Sequence, residues 1–315
     1  MADEDKLLLM TALTLSLRST WNSYSKVLGL LLMIELGILF PQFHALSAYI
    51  QYLLMIMLFF AFLDIDMQAG SFHREVLGVV LANIAVAFIA YWILRPFDLN
   101  LALAAFITGI APTAIAAPVI ISFIQGQVEY VVGAVLLSNV VMALVLPLTL
   151  PFLVGDIVQV SVWQVLEPVL VTMFLPLLLA RLSRLLPHKT QSVLQRGKRF
   201  SFPLWLLALF IMCSKAADFL RHDVAASVST VLSIALISLV ICILNFVLGG
   251  VLGGERFRQE ASQSLGQKNN SFVIWIALTF INPLVAMGPT FYILYHNLYN
   301  SWQIYRFERR QRNEH

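Results

Sequence analysis

Apolar runs separated by short charged or turn-rich breaks follow one another along almost the whole chain. They fall at 27–41, 47–63, 76–94, 101–124, 129–153, 163–186, 202–220, 225–252, 258–281 and 284–305. A helix needs about 20 mostly apolar residues to cross a hydrocarbon core about 30 Å thick. The pattern therefore predicts an all-α polytopic membrane protein with ten transmembrane helices. Ahead of the first run, residues 6–24 read as an amphipathic stretch lying along the membrane surface. The longest polar stretch, Leu186 to Phe200, reads as a loop after the sixth run.

Composition agrees and narrows the class. The 315 residues are 60% hydrophobic and 12% charged, with a mean hydropathy of +0.84. Soluble domains carry roughly 25% charged residues, so this chain cannot cover a water-facing surface. A soluble enzyme, a nucleic-acid-binding module and a disordered protein are excluded. Cys213 and Cys242 lie in apolar runs without CxxC spacing and read as small packing residues. No thiolate metal site and no cofactor are expected. The N-terminus opens with Asp3, Glu4 and Asp5 and lacks a basic n-region, so no cleaved signal peptide is expected.

The placement of positive charge predicts orientation. Ten spans with a cytoplasmic N-terminus put 16 Lys and Arg inside, among them Arg181 to Arg199 and the tail Arg306 to Arg312, and only Arg95, Lys215 and Arg221 outside. Both termini are therefore expected in the cytoplasm, in a plasma (inner) membrane. The twentieth basic residue, Lys268, falls inside the ninth run.

Ten spans divide as five plus five, and an odd number per half inserts the halves in opposite orientation. The expected organisation is a cytoplasmic segment 1–26, a first repeat 27–153, a second repeat 163–305 and a basic tail 306–315. The best pointer to such inverted repeats is a helix break at matching places, and the fourth and ninth runs are the two interrupted ones. The first break runs from Gly109 to Pro118, with Pro112 and Pro118 each removing a helix donor among small residues. A simple proline kink is the plainer reading. The second runs from Ser262 to Ser271 around Gly266, Gln267, Lys268, Asn269 and Asn270. Read as a plain loop, it would leave nine spans and an external Arg-rich tail, against the charge bias. In a discontinuous helix Lys268 sits near mid-membrane, at an insertion cost of about 2.5–3.5 kcal/mol, and needs a polar partner.

At these two motifs, Gly109-Ile110-Ala111-Pro112-Thr113-Ala114-Ile115-Ala116-Ala117-Pro118 and Leu265-Gly266-Gln267-Lys268-Asn269-Asn270-Ser271, the chain resembles the bile acid:sodium symporter family. The resemblance implies two inverted five-helix repeats forming panel and core domains. It also implies unwound, crossed fourth and ninth helices with substrate beside the crossing. Such proteins move organic anions by alternating access, usually with two sodium ions.

The chain departs from the family where sodium binds. Against the family's P-G-G-T-A-S-N, Ala117 and Pro118 replace a serine and an asparagine. Against E-x-G-x-Q-N, Ser264 replaces the shared glutamate and Lys268 a glutamine. Sodium needs hard oxygen donors, and here the acid is missing and an ammonium stands nearby. Lys268 is expected to take the place of a bound sodium by pairing with freed carbonyls. The protein then reads as a sodium-independent secondary transporter of a small organic anion, either a uniporter or proton-coupled through Lys268. A constitutive lysine strut is the plainer alternative.

Thr113, Ala116, Pro118, Gln267, Asn269 and Asn270 are the expected substrate contacts. Glu35, in the first run, is a candidate partner of Lys268 or proton carrier. A monovalent cation/proton antiporter of the same fold would need a carboxylate in the fifth run, where Asn139 stands and reads as an interhelical hydrogen-bond residue, as do Asn83 and Asn245. A membrane transferase would need a second acidic motif beside Asp64-Ile65-Asp66. His296 and Asn297 read as cavity-lining. Trp21, Tyr24, Tyr91, Trp92, Trp163, Trp205 and Trp302 read as interfacial anchors.

Overall fold

The computed structural model describes residues 28–29, 31–63, 74–155, 160–222 and 228–314. The amphipathic stretch 6–24 and the Asp64–Asp66 motif lie outside them. All regular structure among the described residues is helical. Helix α1 covers 31–39, and a 3-10 turn, Pro41–Tyr49, leads into α2 (Ile50–Phe62). Then come α3 (Arg74–Leu94), α4 (Leu99–Ile110), α5 (Ala117–Phe123), α6 (Val128–Val154), α7 (Val162–Ser183) and α8 (His188–Gly197). The chain continues with α9 (Ser201–His222), α10 (Val228–Leu252), α11 (Arg258–Gly266), α12 (Asn270–Phe280) and α13 (Pro283–Glu314).

Six helical stretches are long and apolar enough to span a bilayer: Pro41–Phe62, Arg74–Leu94, Val128–Val154, Val162–Ser183, His188–Phe219 and Val228–Leu252. Over their middle turns their outward faces are largely apolar. In α10, for example, Ile243, Val247 and Val251 are 57%, 59% and 69% exposed. Such faces are stable only against hydrocarbon, which makes this an integral membrane protein.

Two short apolar helices, Leu99–Ile110 and Asn270–Phe280, belong to the interior instead. Every residue of α4 from Ala102 to Ile110 is buried, as is every residue of α12 from Asn270 to Leu278. A helix apolar on all sides needs neighbours on all sides. α4 packs against α3, α10 and α13, and α12 against α13, α9 and α2. Each has its own start signal: Asp98 accepts the Leu101 N–H at 2.7 Å at the head of α4, and Asn269 accepts the Phe272 N–H at 3.4 Å at the head of α12.

Close backbone approach brings the breaks inside. Gly249 on α10 and Gly253 in the turn just after it approach α11 and the residue that precedes it. A Cβ on Gly249 would lie 2.5 Å from the Ala261 carbonyl oxygen, and one on Gly253 would lie 2.2 Å from that of Phe257. Only glycine allows this contact. Gly109 works in the same way against α3, where an added Cβ would meet Ala87 Cα at 2.9 Å. The residue expected to help unwind the helix thus sits inside α4, and its lack of a side chain serves packing.

Other expectations also change. The polar stretch after α7 is a helix, α8, joined to its predecessor by Gln191 Nε2, which donates to the carbonyls of Arg184 and Leu186 at 3.0 and 2.8 Å. Its polarity reports exposure and says nothing against helix. Tyr91 is no interfacial anchor: it is 1% exposed, and its hydroxyl donates to the Leu153 carbonyl at 2.8 Å. Trp92, Trp163 and Trp302 are exposed, as anchors are. Both cysteines are buried and unbonded.

Candidate functional site at the paired helix breaks

The two interruptions are narrower than their sequences suggest, and they meet. α4 stops at Ile110 and α5 starts at Ala117, with Pro118 in its first turn, where a missing N–H costs nothing. α11 stops at Gly266 and α12 starts at Asn270, so only Gln267, Lys268 and Asn269 are non-helical. Across the gap the Asn269 N–H donates to the Pro112 carbonyl, and the Ala114 N–H to the Gln267 carbonyl, each at 2.8 Å. Thr113 and Lys268 thereby form an antiparallel bridge. Groups that unwinding frees in one half are satisfied by those freed in the other, which a low-dielectric interior requires.

Thr113 is held at every polar group. Its hydroxyl donates to the Ser264 carbonyl at 2.6 Å, its N–H donates to Ser138 Oγ at 3.0 Å, and its carbonyl accepts from Asn139 Nδ2 at 3.1 Å. Asn139 also donates to the Val135 carbonyl at 2.8 Å. The interhelical role expected of it is the one it plays. Thr113 is 2% exposed and does not border the cavity described below.

Lys268, also 2% exposed, turns away from the bridge toward the end of α4. Its Nζ donates to the Gly109 carbonyl at 2.9 Å and to Asn83 Oδ1. Asn83 Nδ2 in turn donates to the Ala111 carbonyl at 3.0 Å. The Gly109 carbonyl is orphaned because the Thr113 N–H, its partner in a continued helix, is bonded to Ser138 Oγ, and Ala111 lies beyond the end of α4. The C-terminal end of a helix carries a partial negative charge, and here it meets the Lys268 Nζ with no carboxylate among its hydrogen-bond partners. Glu35 is not its partner: Nζ is held by Asn83 and Gly109, and Glu35 is exposed on α1.

A second layer braces the break. Tyr292 donates its hydroxyl hydrogen to the Gly266 carbonyl at 2.8 Å and accepts from Asn245 Nδ2 at 3.3 Å. Gln267 Oε1 accepts from Asn300 Nδ2 at 2.6 Å, and Asn300 Oδ1 accepts from Gln263 Nε2 at 3.0 Å. Gln263 falls within the second break as read from the sequence, whereas Tyr292 and Asn300 were not legible as site residues, because single polar side chains scattered through an apolar run carry no spacing signature.

Beside the pairing lies a cavity of about 650 Å³. One wall is polar and comes from the second break and α13, with Gln267, Lys268, Asn269, Asn270 and His296. The other is apolar and comes from α2 and α9, with Leu54, Met57, Leu58, Phe202 and Trp205. Ala116 borders it, as does Asn297, whereas Pro118 does not. Trp205 joins the two walls by donating Nε1–H to Ser271 Oγ at 3.1 Å, so it is a cavity residue and not a membrane-surface anchor. Asn270 Nδ2 lies 3.3 Å from the Lys268 carbonyl and 3.4 Å from His296 Nδ1. Its buried Oδ1 has no hydrogen-bond partner among the described residues. Among the described residues no group of three His, Cys, Asp or Glu is placed to hold a metal ion.

Apolar spanning helices, two interior breaks that satisfy one another and a half-polar cavity beside them are the architecture of a membrane transporter. The sequence model of the Sodium Bile acid symporter family matches residues 45–223, more than half of the chain, and the protein belongs to that family. The matched stretch includes the first break and ends before the second. No curated protein matches the chain.

Proposed function

We propose that this protein is a secondary active transporter of a small organic anion, working by alternating access without sodium, with the Lys268 ammonium standing where relatives hold a sodium ion. The observation that carries this reading is the contact of Lys268 Nζ with the Gly109 carbonyl and Asn83 Oδ1. A cation bound to freed carbonyls at a helix C-terminus is the electrostatic equivalent of a bound metal ion, but it is covalently attached and cannot be exchanged. Ser264, Ala117 and Pro118 supply no carboxylate beside it.

The substrate class follows from the cavity. Asn269 and Asn270 open α12, whose first N–H groups and positive dipole end favour an anionic group. The apolar wall of Met57, Phe202 and Trp205 suits an apolar body, and the unpartnered Asn270 Oδ1 suits a substrate hydroxyl. The same reading takes the chain as ten spans in two inverted halves, with α4–α5 and α11–α12 as the fourth of each and α2, α7 and α9 as part of the panel. The charge bias then puts both termini in the cytoplasm of an inner membrane.

The test is a thermal-shift screen of small organic acids with and without sodium and across pH, followed by uptake of the best ligand into proteoliposomes. Uptake is expected to be equal in sodium and potassium media. Sodium-stimulated uptake overturns the assignment of Lys268.

A further inference from the structure

On the far side of α13 from the break-lined cavity, a second groove of about 650 Å³ runs between α10, α11 and α13. Its upper walls are lipid-facing: Ile243, Val247 and Val251 on one side of α10, and Leu298 on α13, 66% exposed. From Leu239 to Val251 the α10 wall is about 18 Å tall at 1.5 Å per residue, enough to follow much of one leaflet. At its foot stand Arg258, Arg306 and Arg310. Arg306 and Arg310 are one turn apart on α13, and the Arg258 stem lies over Gly250, with its Cγ 3.6 Å from where a Cβ would be.

Three features distinguish this groove from an ordinary helix seam. No acidic residue lines it, and none of the three arginines has an ion-pair partner among the described residues. Trp302, a residue of interfacial depth, has the Arg306 guanidinium 5.2 Å from its ring centroid. Gln259 and Gln303 add uncharged donors at the same level as the arginines. An apolar channel open to hydrocarbon that ends in three guanidinium groups, unpaired among the described residues, complements one molecule: a lipid with an acyl chain and an anionic phosphate head.

We infer that the α10–α11–α13 groove is a binding site for an anionic phospholipid, with the phosphate held by Arg258, Arg306 and Arg310 and an acyl chain lying along Ile243, Val247 and Leu298. This site shares only Leu298 with the break-lined cavity and does not depend on which substrate is carried. A free phosphate ion is the weaker fit, because it would leave the apolar walls of the groove without an occupant.

The experiment compares purified full-length protein with R258Q/R306Q/R310Q, and with R309Q as a control that removes a charge from α13 outside the groove. Phosphatidylglycerol, phosphatidylcholine or inorganic phosphate is added in detergent. Retained lipid is read by native mass spectrometry, and melting temperature alongside it. Wild type and R309Q are expected to retain phosphatidylglycerol over phosphatidylcholine and to melt higher with it. Each arginine removed is expected to weaken retention about fivefold. Equal retention by the triple variant, equal retention of the two lipids or an equal shift from inorganic phosphate overturns the proposal. If the triple variant gives no cooperative melt, the three single variants are read in the same way.

Discussion

Lys268 and Asn83, 185 positions apart in the chain, are joined side chain to side chain inside the protein, and Asn83 hands the contact on to the Ala111 carbonyl. The pair closes the open end of α4 and ties α3, α4 and the second break into one unit. The predictions that follow depend on this unit and on the layer around it.

Asn83→Ala leaves the Ala111 carbonyl unpaired and removes one of the two acceptors of the ammonium. An unsatisfied buried polar group costs about 1–3 kcal/mol. Stability in detergent is expected to fall by that amount, read as a lower melting temperature, whereas Asn83→Asp, which supplies a carboxylate, is expected to melt above Asn83→Ala and to transport more slowly than wild type. Equal melting of wild type and Asn83→Ala would show that the clamp is not holding α4.

Lys268→Gln shortens the side chain and leaves the Gly109 carbonyl without its donor. Uptake into proteoliposomes is expected to drop at least about tenfold, the factor that corresponds to 1.4 kcal/mol. Full activity with an unchanged pH profile would reduce Lys268 to a replaceable strut.

Thr113→Val keeps the shape and removes the hydroxyl that donates to the Ser264 carbonyl. Its loss should lower stability by about 1 kcal/mol, as for a typical buried hydrogen bond, while sparing ligand affinity because Thr113 does not border the cavity. A ligand-induced melting shift measured on both proteins separates the two effects.

Trp205→Phe is the converse case. It keeps the apolar wall and deletes the N–H that reaches Ser271 across the cavity. Affinity or turnover should change severalfold with a melting temperature close to wild type, and an unchanged transport rate would remove Trp205 from the site.

Gly249→Ala places a methyl 2.5 Å from the Ala261 carbonyl oxygen, a backbone atom that cannot swing aside. Overpacking of this kind costs about 1–3 kcal/mol or more. Gly78→Ala, where nothing lies within 4 Å, is the matched control and is expected to be neutral or mildly stabilising.

Much of this was legible in the chain because a bilayer imposes a coarse, one-dimensional code. Apolar run length marked the long helices, Gly109 to Pro118 and Ser262 to Ser271 marked where backbone donors and acceptors come free, and Lys268 stood out as a charge that no apolar run tolerates alone. Partners were not legible. Hydropathy cannot say that Lys268 would choose Asn83 and Gly109 over Glu35, that Tyr91 and Trp205 would turn inward, or that Tyr292 and Asn300 would brace the second break. Those choices depend on which helix faces which, and that is set by contacts such as Gly249 on Ala261. Run length and the two broken motifs already require that backbone groups come free inside an apolar interior. Which groups satisfy them follows from helix packing, because a hydrogen bond is fixed by tenths of an ångström that no run length encodes.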